Sequence, residues 1–172
     1  MHPYFILINK VVLCFSILAL GACRESETRE PATVDTWIQT AVGDQPILIQ
    51  AAFTESERQK GLMYRREMDK DAGMLFVFET PQARGFWMKN TYIPLDIAYM
   101  TSDGVIREIY PMYPLNENSV RSVRADISIA LEMNQGWFAE NGVELGDALM
   151  LEPVIDLIER RGLSPSGFSI NP

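Results

Sequence analysis

The chain is poor in the side chains that carry most familiar catalysis. Its single histidine is His2, and its two cysteines are Cys14 and Cys23. Beyond Cys23 the sequence contains neither residue type. That absence excludes Ser-His-Asp and Cys-His nucleophile systems from the rest of the chain, and any zinc site built on His or Cys. It also excludes a disulfide inside the folded part, whatever the redox compartment. No Gly-x-Gly-x-x-Gly or Walker pattern occurs, so a phosphate-cradling glycine loop is missing. Long helical stretches between strands are missing too, which argues against an α/β fold. Positive charge is scarce: 15 Lys and Arg stand against 23 Asp and Glu, a net charge of −8. Nucleic-acid binding rests on Lys and Arg contacts to phosphate, so no nucleic-acid partner is expected.

What is present begins with an address. Lys10 precedes an apolar run from Val11 to Leu20, too short for the ~20 residues that span a bilayer but suited to a signal peptide. The run ends in Leu20-Gly21-Ala22-Cys23, which resembles the lipobox of bacterial lipoproteins. The expectation is a signal peptide over residues 1–22 and an acylated Cys23. Arg24, not Asp, follows the cysteine. That pattern resembles outer-membrane sorting, with the protein facing the periplasm. The membrane is then reached through acyl chains and not through a basic patch. Residues 23–35 are polar and read as a tether. Residues 36–160 have the size of one domain with one core, and residues 161–172 read as a flexible tail.

Within the domain, short apolar runs alternate with turn residues. Thr36–Ala41 and Pro46–Phe53 predict a hairpin about Gly43-Asp44. Thr54-Glu55-Ser56-Glu57 has capping-box spacing and predicts a short helix from Glu55 to Gly61 or Met63. Gly73–Phe78 is apolar throughout, as a strand buried on both faces is, with Thr80-Pro81 expected to end it. Gly85–Lys89 and Ile93–Met100 are the next strands, and Ser102-Asp103-Gly104 predicts a hairpin turn into Val105–Tyr110. Arg121-Ser122-Val123 suits an edge. Ile127–Asn134 alternates as a half-buried strand, Gln135–Asn141 reads as one or two helical turns, Ala148–Glu152 as a last strand and Val154–Arg160 as a short helix. The fold class is mainly β: an antiparallel sandwich or barrel-like domain with one or two short helices.

The stretches GLMYR, GMLFVF, FWMKNT, IPLDI and LEMNQGWFAENGVELGD, between Thr54 and Leu151, resemble domain-of-unknown-function family 192 in order and spacing. The resemblance implies a compact β-sandwich or barrel-like fold, often exported. It transfers no catalytic residues.

Candidate chemistry is concentrated between Gly61 and Met100. Arg65, Lys89, Asn90 and Asp96 are polar residues set in apolar ground there, and Glu132 stands in a later strand among small neighbours. Alternation puts Asp96 with Ala98 and Met100, and Glu132 with Ala130 and Ser128. The functional expectation is a pocket of Arg65, Lys89, Asn90, Asp96 and Glu132, walled by Trp87 and Tyr64, for a small polar ligand such as a sugar or an anionic group. The leading function is a non-catalytic binding or accessory module of the cell envelope, with an envelope component as possible partner. A glycosidase-like hydrolase using Asp96 and Glu132 is the alternative, and a purely structural envelope protein is the third. No cofactor and no metal is expected. The nine methionines are scattered and read as core filler, not as soft-metal ligands.

Overall fold

The computed structural model describes residues 32–171. The expected signal peptide, Cys23 and most of the tether lie outside the described residues. The domain is β-rich. A six-stranded mixed sheet carries strands β1 (Ile38–Val42), β2 (Gln45–Ala52), β3 (Ala72–Gln82), β5 (Leu95–Met100), β6 (Ile106–Met112) and β8 (Ile127–Asn134), in the order β1-β2-β3-β8-β5-β6. A second, two-stranded sheet pairs β4 (Gly85–Phe86) with β7 (Val120–Arg121). Helices α1 (Glu55–Lys60), α2 (Trp137–Glu140) and α3 (Glu152–Arg160) are short.

All pairings in the large sheet are antiparallel except β2 with β3, which is parallel. The expected antiparallel domain is therefore mixed, because α1 and the loop after it carry the chain back to the start of β3. The α1 cap follows the sequence signal. Thr54 accepts from the Glu57 amide, and the Glu57 side chain reaches back to the Thr54 amide. Three stretches depart from expectation. Thr80-Pro81 does not end β3, which runs to Gln82 through a break in register after Val77; an irregularity is where a strand tolerates proline. Only Gly85–Phe86 of the expected Gly85–Lys89 strand pairs. Ala148–Glu152 forms no strand: Ala148 and Leu149 make isolated bridges, and α3 begins at Glu152.

Those bridges close the sheet at one end. Leu149 pairs with Val42 on β1, and Ala148 pairs with Val105 just before β6. The Met150 amide donates to Ala41 O at 2.8 Å, and the Ile106 amide donates to Asp147 O at 2.8 Å. Residues 146–150 thus clasp the two edge strands, which do not pair with each other and leave the barrel unclosed. Within the expected tail, residues 168–171 contact the domain: the Ser169 amide donates to Phe78 O at 2.9 Å, the Asn171 amide to Ser102 O at 2.7 Å, and Phe168 lies 5.5 Å from the Phe53 ring.

Each face of the sheet has its own core. Ile49, Leu75, Met100, Leu131 and Met133 face α3, whose Val154, Leu157 and Ile158 cover them. Met74, Phe76, Ile97, Tyr99 and Ala130 face the opposite way, toward Leu62, Met88 and Ile93. β8 lies between β3 and β5, so both its faces are covered. The half-buried strand expected there is buried from Ile127 to Met133. Gly73 allows β3 to approach β8 closely: a Cβ there would collide with Met133 Sδ and lie 2.6 Å from Glu132 O. Among the described residues, no helix is long and apolar enough to cross a membrane.

Candidate functional site

Glu132 is held at the middle of the large sheet, opposite Met74 of β3 and Ile97 of β5. Its side chain shares a face with Phe76 and Tyr99. Two loops cover that face: residues 61–65 after α1 and residues 87–91 after β4. They are stapled together. The Tyr64 amide donates to Asn90 O at 2.7 Å, and Asn90 Nδ2 donates to the Tyr64 hydroxyl at 3.1 Å. Both residues hold left-handed backbone, φ 67° at Tyr64 and φ 55° at Asn90. Non-glycine residues in that region cost on the order of 1–3 kcal/mol each and cluster at ligand clamps.

Between the loops lies a cleft of about 30 Å³, room for one or two water-sized groups. Glu132 is its floor; Met63, Phe86 and Trp87 are walls; Arg58, Lys60 and Lys89 are its cations. The Lys89 ammonium sits 5.1 Å from the centre of the Trp87 ring, a cation–π contact that leaves the charge at the mouth. Thr91 is buried beside it, its hydroxyl donating to Lys89 O at 3.3 Å.

The Glu132 carboxyl has no hydrogen-bond or ion-pair partner among the described residues. Burial pushes its pKa up to about 8, so at neutral pH it is protonated and can donate. A neutral acid on the floor of a cleft lined by Lys60 and Lys89 can donate to a neutral or electron-rich group. The same lysines repel an incoming cation.

The expected pocket is only partly assembled. Trp87, Lys89 and Glu132 meet in this cleft, with Asn90 and Tyr64 holding its rim. Arg65 faces a neighbouring cleft of about 350 Å³, which shares Lys60, Gly61 and Met63 with the first. Its guanidinium donates to Gln50 Oε1 and lies 5.6 Å from the Trp37 ring. Burial lowers its pKa, and Asp35 partly counters that. Gln50 Nε2 in turn donates to Asp35 O at 3.2 Å, so Arg65 braces the entry into β1.

Asp96 is a correction. It pairs in register with Met133, while Ile97 pairs with Glu132, so the two carboxylates point to opposite faces of the sheet. Asp96 Oδ2 accepts from the Gly136 amide at 2.8 Å and fastens the turn into α2. Burial raises its pKa, with the Gly136 hydrogen bond opposing. The shared cleft that paired-carboxylate hydrolysis needs is absent. Sequence reasoning missed Lys60 and Met63, which only the path of the chain after α1 brings over Glu132. Lys60 stands in the last turn of a helix the capping box foretold, so its position, though not its partner, was readable.

The comparisons with known proteins agree with this architecture. The model of family DUF192, described as Uncharacterized ACR, matches residues 38–151. A solved structure from Sinorhizobium meliloti, described as a candidate transcription regulator, is 36% identical with TM-score 0.62, covering 67% of this chain and 95% of that one. A protein of unknown function from Novosphingobium aromaticivorans is 29% identical with TM-score 0.63, covering 72% of this chain and 94% of that one. No curated protein matches the chain.

Proposed function

The chain belongs to the DUF192 family, and from that premise we propose that it is a non-catalytic binding module for a small polar ligand, displayed at the cell envelope. One observation carries the ligand site: a buried carboxyl, Glu132, without a partner among the described residues, on the floor of a cleft whose rim is held in left-handed backbone. A carboxyl this sheltered, 4% exposed and reached only through the cleft, is placed to bond whatever enters it. Only a hydroxyl or similar tip fits the floor, given its volume. The body of the ligand lies over Trp87, 47% exposed, and Tyr64, 64% exposed. Flat aromatic surface above a hydrogen-bonding floor suits a saccharide or a cell-wall fragment.

The test is binding of neutral sugars and cell-wall fragments, followed by calorimetry or chemical-shift changes. Glu132→Gln keeps a donor and should keep binding, whereas Glu132→Leu should abolish it in a folded protein. Wild-type affinity should fall above pH 8, as the carboxyl ionises, and the Gln variant should lack that fall. A Leu variant that binds as well as wild type ends this reading.

The envelope location rests on Val11–Leu20 and on Leu20-Gly21-Ala22-Cys23. Cys23→Ser should lose labelling by a palmitate analogue and release the protein from membranes. Equal membrane retention with no label on wild type refutes it. The regulator description of the Sinorhizobium relative does not carry over, because a net charge of −8 works against the phosphate backbone.

A further inference from the structure

Beside the Glu132 cleft lies a larger one of about 370 Å³, which shares Arg58, Gln59, Phe86 and Trp87 with it. Three arginines line it: Arg58 from α1, Arg84 from the turn before β4, and Arg121 from β7. Their surroundings differ. Arg58 is committed to the fold, donating to Phe53 O at 2.6 Å and Val77 O at 3.0 Å and pairing with Glu79 at 3.1 Å.

Arg84 has no acid of its own. One end of its guanidinium donates to Thr80 O, its plane lies 3.7 Å from the centre of the Phe78 ring, and its Nε–H is buried without a partner among the described residues. Burial, with repulsion from Arg58, pushes its pKa down to about 10, against a weaker pull from Glu79. Arg121 has neither a side-chain hydrogen bond nor an ion pair among the described residues. Its side chain lies over Gly85, where a Cβ would come within 3.1 Å of Arg121 Cγ and collide with Ser119 Oγ. The missing Cβ makes a cradle. Glu55, the acid lining this cleft, accepts from Gln59 Nε2 at 3.2 Å.

We propose that this cleft binds a tetrahedral oxyanion, the phosphate or sulfate ester of a small polar molecule. Arg84 and Arg121 form no ion pair among the described residues, and with Arg58 they set three guanidinium groups against Glu55 and Glu79, a local positive excess in a protein whose net charge is −8. Planar guanidinium forks match the oxygens of phosphate and sulfate. A carboxylate offers two oxygens in one plane; a phosphate or sulfate ester offers its oxygens tetrahedrally, so that Arg84 and Arg121 can each bond one, and a phosphate monoester brings up to two charges as well. An anion here also relieves the repulsion between Arg58 and Arg84. The cleft is larger than an oxyanion alone requires, and Trp87 on the shared wall offers a surface for the organic part. This site does not depend on Glu132 binding anything.

The experiment uses inorganic phosphate, glycerol 3-phosphate and glycerol at matched ionic strength, read by thermal shift and calorimetry. Phosphate should raise the melting temperature, glycerol 3-phosphate should raise it more, and glycerol should compete with neither. Arg121→Ala and Gly85→Ala should each weaken binding by about tenfold or more, as loss of a charge-assisted contact does. Glu132→Gln should leave it unchanged, which separates this site from the floor of the neighbouring cleft. Arg107→Ala, an equal loss of charge elsewhere on the surface, should also leave it unchanged. Sedimentation with phosphatidylglycerol and phosphatidylcholine vesicles identifies the source: Arg121-dependent retention on the anionic vesicles assigns a lipid phosphate, and binding of soluble esters alone assigns a solute. The proposal falls if phosphate gives no shift beyond chloride, or if Arg107→Ala costs as much as Arg121→Ala.

Discussion

Glu108 and Glu132 are both withdrawn from water, at 9% and 4% exposure, in opposite surroundings. Glu108, on β6, accepts from the Tyr110 hydroxyl at 2.6 Å and from the amides of Val123 and Arg124 at 2.8 Å each. Burial alone would raise its pKa, but these hydrogen bonds outweigh it and hold the carboxyl below the ordinary range. Glu132 has burial without compensation and ionises only near pH 8. Low exposure is therefore not what sets the ionisation of these two carboxyls, one on the edge strand β6 and the other at the middle of the sheet. The neighbours separate them: Glu108 ties the loop after β7 to the sheet, whereas Glu132 ties nothing.

The sharpest way to break this contrast is to vary pH. Glu132 has a folded pKa of about 8 against an ordinary 4.5. Its contribution to stability is complete below about pH 4.5 and is lost as pH rises through about 8, at about 1.4 kcal/mol per pH unit within that window. Glu108, with a lowered pKa, acts in the opposite sense: its contribution is present above the ordinary carboxylate range and is lost as pH falls below it. Urea melts at pH 5 and pH 9 should show wild type losing on the order of 4 kcal/mol relative to Glu132→Gln. Parallel curves for the two proteins would remove the distinction.

A smaller effect is expected at the other glutamate. Glu108→Gln leaves at least one of three part-buried donors without its acceptor and should cost about 1–2 kcal/mol at neutral pH, measured by denaturant unfolding. A loss below about 0.5 kcal/mol would mean that the loop after β7 does not need this anchor.

The smallest change in stability belongs to the rim of the cleft. Asn90→Gly relieves left-handed backbone and forfeits the bond to the Tyr64 hydroxyl, two opposing terms that should leave stability within about 1 kcal/mol of wild type. Ligand affinity should nevertheless drop, because the two loops keep only the backbone half of their staple. If melts show a loss of several kcal/mol, the pair braces the fold and does not shape a site.

Much of this could be read from the chain where the signal is local. Thr54 and Glu57 announce α1 because a capping box needs only four consecutive residues. Alternation placed Asp96 with Ala98 and Met100 on one face and Glu132 with Ala130 on the other; at Ser128 the alternation breaks, because Ile127 packs in the same core as Ala130. What alternation cannot supply is the phase between strands. That phase lies in the pairing of Ile97 with Glu132, a contact between residues far apart in sequence, and it decides that the two acids turn their backs on each other. Centrality is equally non-local: Ile127–Asn134 has the pattern of a half-exposed strand, yet β3 and β5 flank it. Arg65 and Lys89 stand in neighbouring motifs, but the turn after α1 sends one to the cleft at Gln50 and the other to the cleft at Glu132. The parallel pairing of β2 with β3 follows from a helix between two strands, a cue that six helical residues made easy to discount.

The clasp at residues 146–150 has a consequence for the order of assembly. The first strand of the sheet gains its outer partner from one of the last stretches of the chain, Val42 meeting Leu149. During synthesis, β1 therefore waits with one edge uncovered until nearly the whole domain has emerged. Such long-range closure slows folding, and it ties completion of the first hairpin to arrival of the C-terminal helix.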